Sequence, residues 1–385
     1  MSAESETGGA PVAADGVQKF HRMRELVEAE LFSGQGALLR VYCTHKSDAV
    51  DASELADHVA RVLYWRETPI SIGGGGYVQY IDHSGSDWRI VAAARTTSQK
   101  SGSTPGDDIK LLRYLIRHRH TTPIEFGQLT VKIRAPMDVI RQHIRHRMSS
   151  TSEYSTRYSN AIDDAYVTPP GGWRTQATSN RQGSAGAVSD QWPAGWSVDD
   201  QGMVRGPDGY AVAAAEDIST PEKLLSMEER WLQRQARAVY ERRLALGVAR
   251  EQARKDLPLS TYTELYWTID LHNLLHYLGL RLHSHAQLEI RQLAAGLARL
   301  VEEFFPECWA AFQDYQQKAV ALTATDQAVL LYYIQNHPQD LYGPVNEIWQ
   351  TATAVVPALV GDAGKRERNE TLAKLQALGF FQERE

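Results

Sequence analysis

The chain has 385 residues, 43% of them hydrophobic, a formal net charge of -6 and a pI near 6.1. That suits a soluble protein with one large core or two modest ones, and the acidity argues against a general nucleic-acid binder, which needs a basic domain. Two cysteines, Cys43 and Cys308, give neither a disulfide framework nor a paired metal spacing, and no apolar run approaches the ~20 residues of a membrane span.

With no basic-then-apolar leader, the expected location is the cytoplasm, with no membrane partner. Residues 1–15 are small and polar, the composition of a disordered tail. Residues 17–32 space their apolar side chains as a helix, 36–43 (GALLRVYC) read as a short buried strand, and 52–65 as a second helix capped near Asp51 or Ser53. The glycines at 73–76 read as a linker, and the alternation of YVQYIDH after them predicts a strand over 77–83. The glycine run lacks the Lys-Ser/Thr of a phosphate loop, and no G-x-G-x-x-G opens a helix, so neither nucleotide fingerprint is present.

The run RQHIRHRMSSTSEYSTRYS at 141–159 concentrates cations, imidazoles, a carboxylate and hydroxyls. Its spacing predicts a helix that begins in APMDVI and continues through Arg147, with Arg141 and Arg145 four apart and Gln142, Arg145 and His146 on one face. The Ser, Thr and Glu residues beyond favour a cap or turn, which places Glu153, Ser155 and Arg157 on a loop. Guanidinium forks at this density suit a phosphate; by charge alone, such a cluster is more often a solvated face or a nonspecific nucleic-acid patch than a catalytic site. The turn-rich stretch at 160–216 (TPPGGW, QWPAGW, RGPDGY) is too long for an ordinary loop and reads as an insertion. Its Trp173, Trp192 and Trp196 are expected to pack as irregular structure or a short hairpin. A long amphipathic helix follows from Thr220 toward Gly247, another spans 285–305, and helical patterns recur near 326–334, 345–359 and 366–378.

The order of residues in the basic run, Arg145-His146-Arg147, then Ser150, Glu153, Ser155 and Arg157-Tyr158, resembles the signature of the flavin-dependent thymidylate synthases, which make dTMP without a cysteine nucleophile. AAARTTS at 92–98 is similar to that family's AARVS segment, with Thr97 at the position of a flavin-contacting Ser. HRHTTPIEF at 118–126 resembles HGHxTPFEH and places His120 and Glu125. From Ala253, ARKDLPLS continuing to HAQLEIRQLA is similar to the second block and places Arg254 and Arg281 at two substrate arginines. The resemblance implies an N-terminal extension over 1–75, a core over 76–320 interrupted at about 160–216, and a helical C-terminal extension over 321–385. The implied fold is α/β of the α+β kind, a twisted, mostly antiparallel sheet with a helical bundle, assembled as a homotetramer with active sites between subunits.

The implied reaction is FAD-dependent reductive methylation of C5 of dUMP, with methylenetetrahydrofolate as one-carbon donor and NADPH as reductant. Residue by residue, the resemblance assigns flavin contacts to Thr97, His120, Arg145, His146, Arg147, Glu153, Asp270, His272 and His276. It assigns nucleotide contacts to Gln142, Arg145, Glu153, Tyr154, Ser155, Thr156, Arg157, Arg254 and Arg281, and the catalytic role to Arg281. A thiolate attack on C6 has no home here: Cys308 lies in the apolar FFPECWAAF and reads as an inert thiol. The chain departs from the pattern at Phe126, Ser152, Asp270 and His272, the last replacing a permanent cation. His272 and His276 lack the glutamate of H-E-x-x-H, so no metal is expected. The departures leave two other readings open, a UMP methylase of the nucleoside-antibiotic type and an inactive flavin- or nucleotide-binding module.

Overall fold

The computed structural model describes residues 21, 24, 52–96, 104–178, 183–188, 194–336 and 365–378. Apart from helical His21 and Arg24, the elements expected at 17–32, 36–43 and 345–359 lie outside these residues, as do Cys43, Thr97 and Trp192. The chain divides into two compact units, Met1–Trp309 and Ala310–Glu385.

In the first unit, helix α1 (Ala52–Glu67) leads through β1 (Ile70–Ser71) to β2 (Tyr77–Ser84). The glycines between are a tight turn: Gly73, Gly74 and Gly75 have φ of 90°, 54° and 91°, and a Cβ on Gly74 would lie 2.5 Å from the Tyr166 ring, so only glycine fits. Helix α2 (Asp87–Arg95) is capped by Ser86, and α3 (Pro105–Arg117) opens with a Thr104/Asp107 capping box and a proline in its first turn.

Strand β3 (Gln128–Pro136) buries Leu129, Val131, Ile133 and Ala135 and turns Thr130, Lys132 and Arg134 outward. It runs directly into α4 (Met137–His143), after which β4 (Ser150–Glu153) forms a sheet edge. The 160–216 stretch is more regular than its composition predicts. It folds into a hairpin, β5 (Arg174–Gln176) with β6 (Ser184–Ala187), and a meander of β7 (Ser197–Val198), β8 (Met203–Arg205) and β9 (Ala211–Ala214). The meander has its own small core of Val204, Val212, Ala213 and Ile218, packed with Leu224 and flanked by Trp196, Tyr210 and Trp231. Those apolar contacts, rather than periodicity, give it form.

Helix α5 (Pro221–Ala245) is N-capped by Thr220, as the sequence predicts, and a short α6 (Arg250–Ala253) leads to β10 (Tyr262–Asp270). The main sheet has the order β1-β2-β3-β10-β4, every pair antiparallel, and β10 pairs with β3 without a slip from Tyr262↔Pro136 to Asp270↔Gln128. Helices α7 (Leu271–Arg281) and α8 (Leu288–Phe304) bury Leu274, Leu275 and Leu278 and Leu293, Leu297 and Leu300, respectively. Gly296 lets α8 lie close to the sheet, since a Cβ there would stand 3.1 Å from Val78.

Helix α9 (Pro306–Phe312) begins where the Asp87 carboxylate accepts the backbone N–H groups of Glu307 and Cys308 at 2.8 and 3.1 Å. In the second unit, α10 (Ala324–Asn336) and α11 (Lys365–Ala377) are joined through Asp326, which accepts from Thr371 Oγ1 and Lys374 Nζ, each at 2.6 Å. Burial acts to raise its pKa, but the ammonium and hydroxyls around it prevail and pull it to about 2.

Candidate active site

Helix α4 stops at His143, short of the predicted Arg147. Ile144 N still reaches Ile140 O at 2.9 Å, but Arg145 N and His146 N bond to carbonyls three residues back, Gln142 O at 3.3 Å and His143 O at 3.1 Å, a tightening that ends the helix. The chain must then extend, because Ser150–Glu153 pairs with β10 from Ser150↔Thr268 to Glu153↔Leu265. The single helical face expected for Gln142, Arg145 and His146 therefore does not form. Gln142 is on the helix, Arg145 and His146 are on the turn after it, and Glu153 ends a strand, so the loop begins only at Tyr154.

The turn presses His146 against α7, with its ring 5.7 Å from His276 and 5.6 Å from Tyr277. His143, wholly buried, is hydrogen-bonded through Nδ1 to the Tyr277 hydroxyl at 3.0 Å and meets the Trp267 ring edge-on at 4.4 Å. Arg281 Nη2 donates to the Gln142 carbonyl at 3.1 Å, and Gln142 Nε2 donates to Gln287 Oε1. Four buried polar atoms in this cluster have no hydrogen-bond partner among the described residues: His143 Nε2, His146 Nε2, Trp267 Nε1 and Arg281 Nε. Each such atom costs about 1–3 kcal/mol, and their concentration at one place is the mark of a site made for a ligand.

Burial holds the His143 imidazole down to about 3, with His146 and Arg281 adding to the effect. Burial, then His276 and Arg281, likewise lowers His146. Both rings are therefore neutral at neutral pH, and each offers one donor and one acceptor. Arg141, Arg145 and Arg147 are exposed and make no ion pair among the described residues.

A second group gathers around the Glu153–Arg157 segment. Arg254 Nη1 donates to Thr156 Oγ1 at 2.6 Å, Arg157 pairs with Glu251 at 3.3 Å, and Glu153 Oε1 accepts from Thr263 Oγ1 at 2.9 Å. Tyr154 donates its hydroxyl to Asn160 O at 2.7 Å, and Ser155 Oγ accepts from Arg157 N at 3.3 Å. Among the described residues no side-chain hydrogen bond, ion pair or ring contact joins this group to Arg281 and Gln142. His120 is apart from both, its ring stacked 5.6 Å from Tyr114. Asp270 caps α7, accepting from Asn273 N at 2.9 Å and Asn273 Nδ2 at 2.8 Å, which commits its carboxylate to the helix end; His272 is half-buried in the first turn.

Sequence reasoning passed over His143, Trp267, Tyr277 and Gln287. The first lay within the basic run, and the others stood in the second block at positions where only the packing of α4 on α7 and β10 reveals them. Two cavities open in the first unit. One of about 580 Å³ runs along α5 beside Arg230, Arg234 and Arg237, away from the cluster. The other, about 460 Å³, is lined by Asp138, Tyr166, Trp173, Arg174, Gln287 and Glu289 and so adjoins the Gln142–Gln287 pair.

A family model described as "Thymidylate synthase complementing protein" matches residues 79–307. A flavin-dependent thymidylate synthase of Thermus thermophilus is 38% identical over 255 residues, 66% of this chain and 82% of that protein. One from Gluconobacter oxydans is 35% identical over 263 residues, 67% of this chain and 76% of that protein. Among solved structures, the UMP/dUMP methylase PolB from Streptomyces cacaoi bound with 5-Br UMP is similar with a TM-score of 0.51 at 27% identity, covering 64% of this chain and 98% of that one. The same methylase bound with 5-Br dUMP has a TM-score of 0.51 at 28% identity, covering 64% and 99%.

Proposed function

The chain belongs to the flavin-dependent thymidylate synthase family, and we propose that it methylates C5 of a uracil nucleoside monophosphate, converting dUMP to dTMP. The observation that carries this reading is the cluster between α4 and α7, where an arginine and two neutral imidazoles hold buried polar atoms without partners. Cys308 is buried, and burial and the Asp87 carboxylate raise its thiol well above the usual range, so it is no nucleophile. Activation of C5 then falls to charge. The Arg281 guanidinium, always protonated, cannot act as a base; it stabilises the negative charge that spreads over N3, O2 and O4 as C5 becomes nucleophilic. Gln142 positions the nucleotide beside it, and Arg254 and Arg157, with Glu153 to Thr156, hold its phosphate and base.

The residues fit a flavin dinucleotide at the turn after α4: among the described residues Arg145 and Arg147 meet no carboxylate and can take its phosphates, and His146 Nε2 lacks a partner. They fit less well at the start of α7, where Asp270 is engaged and His272 carries no permanent charge. A flavin bound there would supply the hydride that completes the methyl group, with NADPH as reductant and methylenetetrahydrofolate as one-carbon donor. Because Arg281 and Arg254 fall in unconnected groups, we read the whole site as shared between chains of a homotetramer. Tyr158 and Met148, 80% and 66% exposed, together with Ile144 and Leu280, supply apolar surface for such a contact. Arg281→Ala and Arg254→Ala chains, each inactive alone, should then regain activity when mixed. A cytoplasmic location follows from the same reading of a nucleotide-biosynthetic enzyme.

A second reading, methylation of UMP, is favoured by the similarity to a methylase solved with both 5-Br UMP and 5-Br dUMP. The deciding experiment is an anaerobic reaction of flavin-loaded protein with NADPH, methylenetetrahydrofolate and dUMP or UMP, scored by the mass of one added methylene. Product from dUMP alone supports thymidylate synthesis, product from UMP supports the ribonucleotide reading, and no product from either overturns both.

A further inference from the structure

An amide has one accepting end and one donating end, and only its partners distinguish them. Gln287 accepts from Gln142 Nε2 through Oε1. Its other end lies beside two carboxylates with which it lines one cavity, Asp138 in the first turn of α4 and Glu289 in the first turn of α8. Ionised carboxylates only accept, so they draw Nε2 toward themselves and turn Oε1 toward Gln142. Gln142 must then give Nε2 to Gln287, and its own Oε1 receives no hydrogen bond among the described residues. Glu289 is fixed in turn by Arg174, whose Nη2 reaches Oε1 at 2.9 Å and Oε2 at 3.1 Å. Arg174 opens β5 and is braced by Ser184 Oγ at 3.1 Å and Gly172 O at 3.3 Å.

We infer that Arg174, Glu289 and Asp138 are positioning residues that lock the polarity of the Gln287–Gln142 pair, so that Gln142 presents an acceptor, Oε1, to a donor of the nucleotide, its ring N3–H or a ribose hydroxyl. The inference rests on the nucleotide reading above. It gives the turn-rich 160–216 segment a part in substrate recognition: the segment reaches the substrate through three side chains, Glu289, Gln287 and Gln142, and touches it with none.

The test is dUMP affinity of the flavin-loaded, full-length protein measured by calorimetry, which needs no turnover. Asp138→Asn/Glu289→Gln replaces both acceptor-only groups and lets the amide pair invert; the dUMP Kd should rise about tenfold, the worth of one hydrogen bond in a ligand site. Adding Gln142→Glu to that variant should bring the Kd back to within about threefold of wild type. A carboxylate has no donating end and presents an acceptor whichever way Gln287 turns, so a merely structural loss would not be rescued. Should the double variant fail to fold, Arg174→Gln loosens Glu289 alone and should raise the Kd about threefold, with kcat near wild type. An unchanged Kd in the folded double variant, or in Arg174→Gln if only that folds, or a loss that Gln142→Glu does not repair, overturns the polarity assignment. Wild-type protein that binds no dUMP overturns the nucleotide reading and this inference together. Rescue by Gln142→Glu without methylation supports the inference and overturns only the reaction. N3-methyl-dUMP binding more weakly than dUMP names the ring N–H as the donor; equal binding names a hydroxyl.

Discussion

Four arginines of the sheets and of α5 and those around α4 end differently. Arg134 meets Asp164 at 2.6 Å, Arg174 meets Glu289 at 2.9 Å, Arg205 meets Asp199 at 2.5 Å, and Arg237 lies between Asp163 and Glu241 at 3.3 and 2.8 Å. Arg141, Arg145 and Arg147 meet no carboxylate among the described residues, and Arg281 holds one carbonyl with its Nε left over. One side chain thus does two jobs. Where its charge is cancelled within the chain it braces strands and loops; where it is not, the field is kept for an anion that arrives from outside. An acidic chain can therefore carry a strongly basic site.

The comparison breaks most sharply at Arg281. Arg281→Ala should cost about 10²–10³ in methylation, the range for one lost charge stabiliser of a transition state, while the flavin is retained. Turnover near wild type would remove Arg281 from that role. Arg145→Ala/Arg147→Ala should lower bound flavin about tenfold at a fixed concentration, read from absorbance after desalting; full flavin content would show that these unpaired cations await some other anion.

A third prediction concerns acid. Burial, followed by the nearby His58, holds His83 down to about 4, and burial holds His143 down to about 3, whereas an unfolded imidazole titrates near 6.5. Between those values the unfolded chain binds the protons, so stability is whole above ~6.5 and falls as the pH drops, by about 1.4 kcal/mol per pH unit for each ring. Urea unfolding at neutral pH and near pH 5 measures this; equal midpoints would contradict the neutral buried rings. The smallest effect belongs to the paired class: Arg134→Gln should cost about 1–2 kcal/mol, for the ion pair with half-exposed Asp164 and the stacking 4.4 Å over Tyr262, and leave kcat unchanged. A lost kcat would erase the distinction between the two classes.

Much of this was legible in the sequence, though unevenly. The strand at 77–83 and the long helix with its Thr220 cap follow from period and cap chemistry. Strand β10 alternates as cleanly in YTELYWTID, which stands in the sequence within a motif block rather than as a period, and the alternation of QLTVKIRAP in β3 falls between the motif blocks and is assigned to none. The early end of α4 was hidden for a physical reason: the extended conformation of Ser150–Glu153 is imposed by Leu265 to Thr268, more than a hundred positions away. The residue types of the site were visible in the basic run and the second block. The roles of His143, Trp267 and Gln287 were not, because each depends on which helix lies against which strand.

That remote pairing also bears on how the chain acquires its shape. Thr130 and Thr268, joined at 2.9 Å across the middle of the main sheet, are 138 residues apart in sequence, whereas β7, β8 and β9 are near neighbours. During synthesis the meander can close soon after it emerges, while β3 waits with an unsatisfied edge until β10 arrives. Ribosome stalling once Trp231 has emerged but before Tyr262 has should therefore yield nascent chains with a protease-resistant meander and an exposed, aggregation-prone β2–β3 pair.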